Sequence, residues 1–143
     1  MNLRMSFVVC SLAVGLSGEA AAQPCNQGQS LNGLSVLLQG KTVCAALAAD
    51  RWQEYHATGL ALIDYKRGPG HPVDPTEQVG TWSIITTGPA SNPREEVRHS
   101  YTGGTSYQYR VCQIGATYTF QQVSPGSTTI TGATIQPGQG PCP

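Results

Sequence analysis

The sequence predicts an all-β fold: a small antiparallel β-barrel of about seven or eight strands, stapled by disulfides. Short runs rich in Thr, Tyr and β-branched residues alternate with Gly- and Pro-rich turns at roughly ten-residue spacing, as in small barrels and sandwiches. Strands do not alternate with helical segments along the sequence, so a parallel sheet is not indicated. Inward-facing aromatic residues recur on consecutive predicted strands, and closure would remove exposed sheet edges, so a barrel is favoured over a sandwich.

The second half of the chain shows the clearest two-residue alternation. Gly103-Gly104 predicts a two-residue hairpin turn, because glycine tolerates the positive φ that such turns require. Gly115-Ala116 predicts another turn. The strands predicted around these turns are Glu96–Thr102, Ser106–Gln113, Thr117–Gln122 and Thr128–Ile135.

The first half of the domain is harder to assign. Residues 45–57 fit either a helix or a strand, and the strand is favoured; it would place Trp52, Glu54 and His56 on one face. Gly59–Tyr65 predicts a central strand, with Leu60, Leu62 and Asp64 on one face. Another strand is expected over Gln78–Thr86. Between these two strands lies Lys66–Pro75, a loop stiffened by prolines.

The first 22 residues have the pattern of a secretory signal peptide. Arg4 precedes an apolar run over Phe7–Leu16, and Ala20-Ala21-Ala22 provides a cleavage site. The apolar run is shorter than the about 20 residues that span a bilayer. We therefore expect residues 1–22 to be removed and residues 23–143 to form one exported domain, in the periplasm or outside the cell.

Four cysteines would remain in that domain: Cys25, Cys44, Cys112 and Cys142. An even number in an oxidising compartment predicts two disulfides with three possible connectivities. The pairing Cys25–Cys142 with Cys44–Cys112 is favoured slightly, because it would tether the two ends of the domain. Without a C-x-x-C spacing, a cysteine metal site is not indicated.

Charge and motifs argue against several functions. Eight basic and eight acidic residues balance, so nothing indicates binding to nucleic acid or to an anionic membrane. The chain lacks the glycine patterns of nucleotide-binding loops, the G-x-S-x-G of hydrolases and the H-E-x-x-H of zinc proteases. We therefore expect a non-enzymatic protein without a cofactor, acting as a monomer.

Polar residues on inward faces form the first candidate site. Glu54, His56 and Asp64 would share the interior with His99, and a carboxylate beside a histidine suits acid–base chemistry. If the protein is an enzyme, we expect His56 to act as base, oriented by Glu54 or Asp64. The alternative is that these groups are hydrogen-bonded or solvated at a barrel mouth.

The stiff loop is the second candidate site. Its Lys66, Arg67, His71 and Asp74 could bind an anionic ligand or a protein partner, because a rigid loop loses little entropy on binding. A purely structural loop is the alternative. His71 and Asp74 could also join His56 in a metal site, although no metal is expected.

Inward tyrosines are the third feature. Tyr101, Tyr107, Tyr109 and Tyr118 could line a cavity for an apolar or aromatic ligand, or could fill a packed core. The packed core is favoured for a barrel of this size.

Gly80-Thr81-Trp82 resembles the G-x-W signature of lipocalins, in which the tryptophan closes one end of the barrel. In lipocalins the triplet lies on the first strand, whereas here it lies in mid-chain. The size, export signal and paired cysteines are also similar to those of bacterial lipocalin-like domains and of C-type lysozyme inhibitors. This resemblance implies a lipocalin-like barrel that binds either a small ligand or a protein partner.

Together these observations predict an exported binding protein. A small apolar or aromatic ligand would bind at a barrel mouth formed by Trp52, His56, Tyr65 and Trp82. A protein partner would instead bind the loop at Lys66–Pro75.

Overall fold

The computed structural model describes residues 25, 30–47, 50–64 and 77–143, and for Asp50 only the backbone. These residues form a closed barrel of eight antiparallel strands, preceded by one short helix. The elements are α1 (Leu34–Leu38), β1 (Lys41–Leu47), β2 (Asp50–His56), β3 (Ala61–Asp64), β4 (Glu77–Thr87), β5 (Arg94–Tyr101), β6 (Ser106–Ile114), β7 (Thr117–Ser124) and β8 (Thr129–Pro137).

Every strand pairs with its neighbours in the sequence, and β8 pairs with β1 to close the barrel. Val43 on β1 lies opposite Ile135 on β8 at this closure. The predicted small antiparallel barrel is therefore confirmed. Over residues 50–56 the strand interpretation is confirmed too, because pairing with β1 on one side and β3 on the other overrides the local helix propensity of the alanines before it.

Two details of the predicted strands are wrong. Leu60 does not point inward from a strand: it lies in the turn between β2 and β3, with a φ of 66° and half of its surface exposed. The β5–β6 hairpin has no two-residue turn at Gly103-Gly104. Four residues, 102–105, separate the strands, and the Tyr101 amide donates to the carbonyl of Thr105. The Gly115-Ala116 turn is confirmed.

Alternation along the strands places apolar side chains inside the barrel. Val43, Leu62, Val97, Val111 and Phe120, from five different strands, are fully buried there. Burial of such side chains contributes about 1.5–3 kcal/mol each, and it supplies most of the driving force for the fold.

Helix α1 covers the end of the barrel at which β1 and β5 begin, which we call the helix end. Leu34 and Leu38 lie one helical turn apart and are both fully buried against the core. The Leu34 amide donates a 2.8 Å hydrogen bond to the carboxylate of Glu95 on β5, which holds the start of the helix on the barrel. The opposite end, at which β3 and β5 finish, we call the mouth end.

The favoured disulfide pairing is wrong. The structure joins Cys25 to Cys112 and Cys44 to Cys142, with Cα–Cα distances of 5.8 and 5.6 Å. Cys44 lies on β1 and Cys112 on β6, and β7 and β8 separate these strands in the barrel. Because both side chains face outward on different walls, they cannot reach each other. Cys25 is instead bonded to β6, and the C-terminal segment is bonded through Cys142 to β1.

Among the described residues, no helix has the length and hydropathy needed to cross a membrane.

Candidate functional site

Strand β2 presents a row of aromatic and polar side chains to the barrel interior. Trp52 is half-buried, whereas Glu54 and His56 are 3% and 0% exposed. The two-residue alternation of the strand produces this arrangement, as the sequence predicted. A carboxylate and an imidazole inside a barrel of this size require partners, because an unpaired buried charge is costly.

The partners of Glu54 lie on β5, across the interior of the barrel. The hydroxyl of Tyr101 donates a hydrogen bond to Oε1 of Glu54. Nδ1 of His99 lies 2.9 Å from Oε2 of Glu54, which is an ion-pair distance, although the N–H is not aligned for a hydrogen bond. This second contact is therefore mainly electrostatic. Burial and the negative charge of Glu54 raise the pKa of Tyr101 far above its usual value, so its hydroxyl stays a donor.

His56, the second buried histidine, extends these contacts towards the helix end. Nε2 of His56 lies 3.0 Å from Nε2 of His99, and both rings are fully buried. One nitrogen must donate and the other accept, so a proton on both would be repulsive. Burial first, and the charge of His99 second, lower the pKa of His56 well below 6.5. Residues Glu54, His56, His99 and Tyr101 thus form a connected polar cluster, which we call the interior cluster.

Aromatic rings enclose the interior cluster. Trp82 packs edge-on against His56, and its indole nitrogen donates a 3.0 Å hydrogen bond to the Ala57 carbonyl at the helix end. On the other side, Trp52 contacts the rings of His99, Tyr109 and Phe120 at 5.1–5.8 Å. These ring contacts match the expected packed core around the tyrosines.

The packing loosens towards the mouth end. Trp52, Tyr101 and Tyr107 are each half-buried, and the rings of Tyr101 and Tyr107 meet at 5.8 Å. Asp64 of β3 lies opposite Glu54 in register and is half-buried. The aromatic rings of Trp52, Tyr101 and Tyr107 are therefore partly exposed to solvent at this end of the barrel.

The structure separates the residues predicted for the mouth. Trp52 lies at the mouth end, whereas Trp82 and His56 are buried deeper, towards the helix end. Tyr65, Lys66, Arg67, His71 and Asp74 lie outside the described residues, so the predicted loop site stays a prediction.

The catalytic hypothesis was built on His56 with a neighbouring carboxylate. In the structure, Glu54 contacts His99, and His56 contacts the other side of that ring. An acid–base role for His56, Glu54 and Asp64 stays a prediction. The metal hypothesis, which needs His71 and Asp74, also stays a prediction; within the described part of the chain, no three His, Cys, Asp or Glu side chains are grouped as metal ligands.

The sequence interpretation placed His99 and Tyr101 inside the barrel but did not predict their contacts with Glu54. Nothing local indicated these contacts. Glu54 and Tyr101 are 47 residues apart, on strands that are not neighbours in the barrel. Only an assumed barrel with a fixed register could have brought them together.

Comparison with known proteins adds no family to this description: no protein-family model, no curated protein and no solved structure matches the chain.

Proposed function

We propose that this protein is an exported, non-enzymatic binding protein that takes a small aromatic or apolar ligand at the mouth end of its barrel. The observation that carries the proposal is the set of three half-buried rings, Trp52, Tyr101 and Tyr107, above the buried Glu54. Small-molecule sites combine apolar and aromatic walls with a few placed polar groups, and barrel mouths are common locations for them. The two disulfides are compatible with export.

The polar cluster supports this proposal energetically. Replacing a buried ion pair with well-packed apolar residues is often neutral or stabilising, because desolvation offsets the gain from the pair, so stability alone does not require the carboxylate and two imidazoles. Groups of this kind concentrate at functional sites. Glu54 and Tyr101 would orient a polar group of the ligand, while the rings would cover its apolar body. We further propose that the protein is a monomer, and that residues 66–75 could contribute contacts from the adjoining loop.

A fluorescence titration tests this function. Addition of the neutral aromatic probe N-phenyl-1-naphthylamine should increase probe emission and quench tryptophan emission, since Trp52 lies at the mouth. Tyr107→Ala should weaken probe binding by about tenfold, equivalent to about 1.4 kcal/mol, because it removes one aromatic wall.

Tyr55→Ala is the matched control. Tyr55 is also half-buried, but it lies on the outer face of β2, where it lines no part of the mouth. The control should bind the probe like the unmodified protein. Absence of probe binding, or an equal loss in both variants, would contradict a ligand site at the mouth end.

A further inference from the structure

The deeper imidazole of the interior cluster has no carboxylate beside it. The residues directly opposite His56 on the neighbouring strands are Lys41 on β1 and Leu62 on β3. Directly opposite residues of antiparallel strands point to the same face of the sheet. The ring of His56 also contacts the rings of Trp82 and His99. None of these four neighbours supplies a negative charge that would stabilise a proton on His56.

The carboxylates of this part of the interior lie closer to the mouth end. Glu54 is on the far side of His99, whose Nδ1 lies 2.9 Å from Oε2 of the carboxylate. Asp64 lies opposite Glu54 in register, one pair of residues nearer the mouth than Leu62 and His56. Helix α1 contributes no titratable side chain. The titratable groups around His56 are therefore His99, Glu54, Asp64, Lys41 and, against the ring of His99, Tyr101 and Tyr109.

The contact between the two imidazoles tolerates one shared proton but not two. Nε2 of His56 lies 3.0 Å from Nε2 of His99, and both rings are fully buried. A proton on each nitrogen would bring two N–H donors and two positive rings together. Burial lowers the pKa of His56 well below 6.5, and the backbone groups of Glu54 and Lys41 oppose this change only in part. A conformation in which water reaches His56 would restore its ordinary pKa, so acid favours such a conformation.

The two sides of the cluster differ in how freely their side chains can move. On the helix side, Trp82 is 2% exposed and its indole nitrogen is hydrogen-bonded to the backbone. On the mouth side, the rings of Trp52 and Tyr101 lie 5.7 and 6.5 Å from the ring of His99, and both residues are half-buried. Outward movement of these two rings would admit water to the imidazoles without disrupting the aliphatic packing at the helix end.

We therefore propose that the interior cluster is an acid-triggered switch that opens the mouth end of the barrel. A second proton separates His56 from His99, and Trp52 and Tyr101 move outward. The ratio of open to closed molecules should rise by up to about tenfold for each pH unit below about 6.5, because the open form binds one more proton. Opening requires no ligand. Release of a ligand in acid would follow only if the function proposed above is also correct.

A nuclear magnetic resonance experiment on the ¹⁵N-labelled protein, with both disulfides formed, tests the switch at pH 7, 6 and 5. A neutral gadolinium chelate in the solvent broadens the signals of exposed groups. Broadening of the Trp52 indole N–H signal should increase as the pH falls, whereas the backbone amides of Leu34 and Leu38 should stay protected. The ring nitrogens of His56 should show protonation over the same pH range.

His56→Gln should abolish the increase at Trp52, because glutamine takes up no proton. Glu77→Gln, which removes an exposed carboxylate at the mouth-end start of β4, should keep it. The measurement on the unmodified protein decides the question even if His56→Gln does not fold. Constant protection of Trp52, an increase while His56 stays neutral, or equal broadening at Leu34 and Leu38 would each overturn the switch. Absence of probe binding at pH 7 would instead count against the ligand site alone.

Discussion

The helix end and the mouth end of the barrel are built by the same eight strands but filled by different side chains. At the helix end, Leu34 and Leu38 of α1 are fully buried, and Trp82 is anchored to the Ala57 carbonyl. At the mouth end, Trp52, Tyr101 and Tyr107 stay half-buried above Glu54. One end is completed by aliphatic packing, whereas the other leaves aromatic and polar groups near solvent.

This difference underlies the proposed division between stability at the helix end and ligand binding at the mouth end. Aliphatic packing at the helix end buries Leu34 and Leu38 and stabilises the barrel. Incomplete burial at the mouth end makes the barrel less stable than complete packing would. Binding sites commonly combine function with such a loss of stability. Substitutions at the helix end should therefore change the free energy of unfolding, and substitutions at the mouth should change affinity.

Leu38→Ala should cause the largest loss of stability. Removal of a fully buried leucine leaves a cavity, and we expect a loss of about 3 kcal/mol in the free energy of unfolding. Urea unfolding followed by tryptophan fluorescence measures it. Probe binding at the mouth should be unchanged under native conditions.

Val36→Ala is its control on the same helix. Val36 is 80% exposed, so its truncation should change stability by no more than about 0.5 kcal/mol. Similar losses in both variants would mean that α1 does not close the barrel through its buried face.

Gly80→Ala should cause the next largest loss in the free energy of unfolding. It tests how closely β4 and β5 must pair in the wall between the two ends. A Cβ at this position would lie 2.1 Å from the carbonyl oxygen of Ser100, a backbone atom of the adjoining strand. The strands would have to separate beside Trp82 and Tyr101, at a cost of about 2 kcal/mol.

Gly103→Ala provides the comparison for that substitution, because no heavy atom beyond the two adjacent residues lies within 4 Å of the added methyl group. Its free energy of unfolding should change by less than about 0.5 kcal/mol. A tolerated Gly80→Ala would show that β4 and β5 can move apart freely.

A pH effect of smaller size should come from the interior cluster, which connects the two ends. Burial lowers the pKa of His56 in the folded protein, so the unfolded chain takes up a proton first as the pH falls below about 6.5. The contribution of this group to stability is complete above that pH. It decreases as the pH falls below it, by at most about 1.4 kcal/mol per unit.

Urea unfolding at pH 7, 6 and 5 measures this slope. His56→Gln should show a shallower loss of stability than the unmodified protein over the same range, even if its stability at pH 7 is lower. Equal slopes would show that the charge state of His56 does not limit stability in acid.

Much of the fold could be predicted because its signals are local. The two-residue alternation over Val97, His99 and Tyr101 identified both the strand and its inward face, since successive side chains point to opposite faces. The signal that predicted the turn at Gly115-Ala116 was also local. Leu60 was wrongly assigned to a strand because its neighbours in the sequence fit one. In the structure its amide donates to the Ala57 carbonyl, and its own carbonyl accepts from the Trp82 amide. These hydrogen bonds keep Leu60 in a turn.

The disulfides show the limit of such reasoning. Four cysteines predicted two bonds, but their partners depend on which wall each terminal segment crosses. The Leu31 amide donates to the carbonyl of Val111, next to Cys112 on β6. The Gly138 amide donates to the carbonyl of Gly40, next to the start of β1. No feature near the cysteines themselves indicates these routes.

The sequence by itself determined most of the strand pattern and the inward faces of Glu54, His56 and His99, because alternation is a property of consecutive residues, and it favoured a barrel over a sandwich. Only the tertiary structure decided that Tyr101 and His99 contact Glu54, that Cys25 bonds to Cys112, and that Gln53 lies beneath Cys142. These contacts join residues that are more than 40 positions apart. Barrel closure and strand register bring them together, and neither can be derived from the residues on one strand alone.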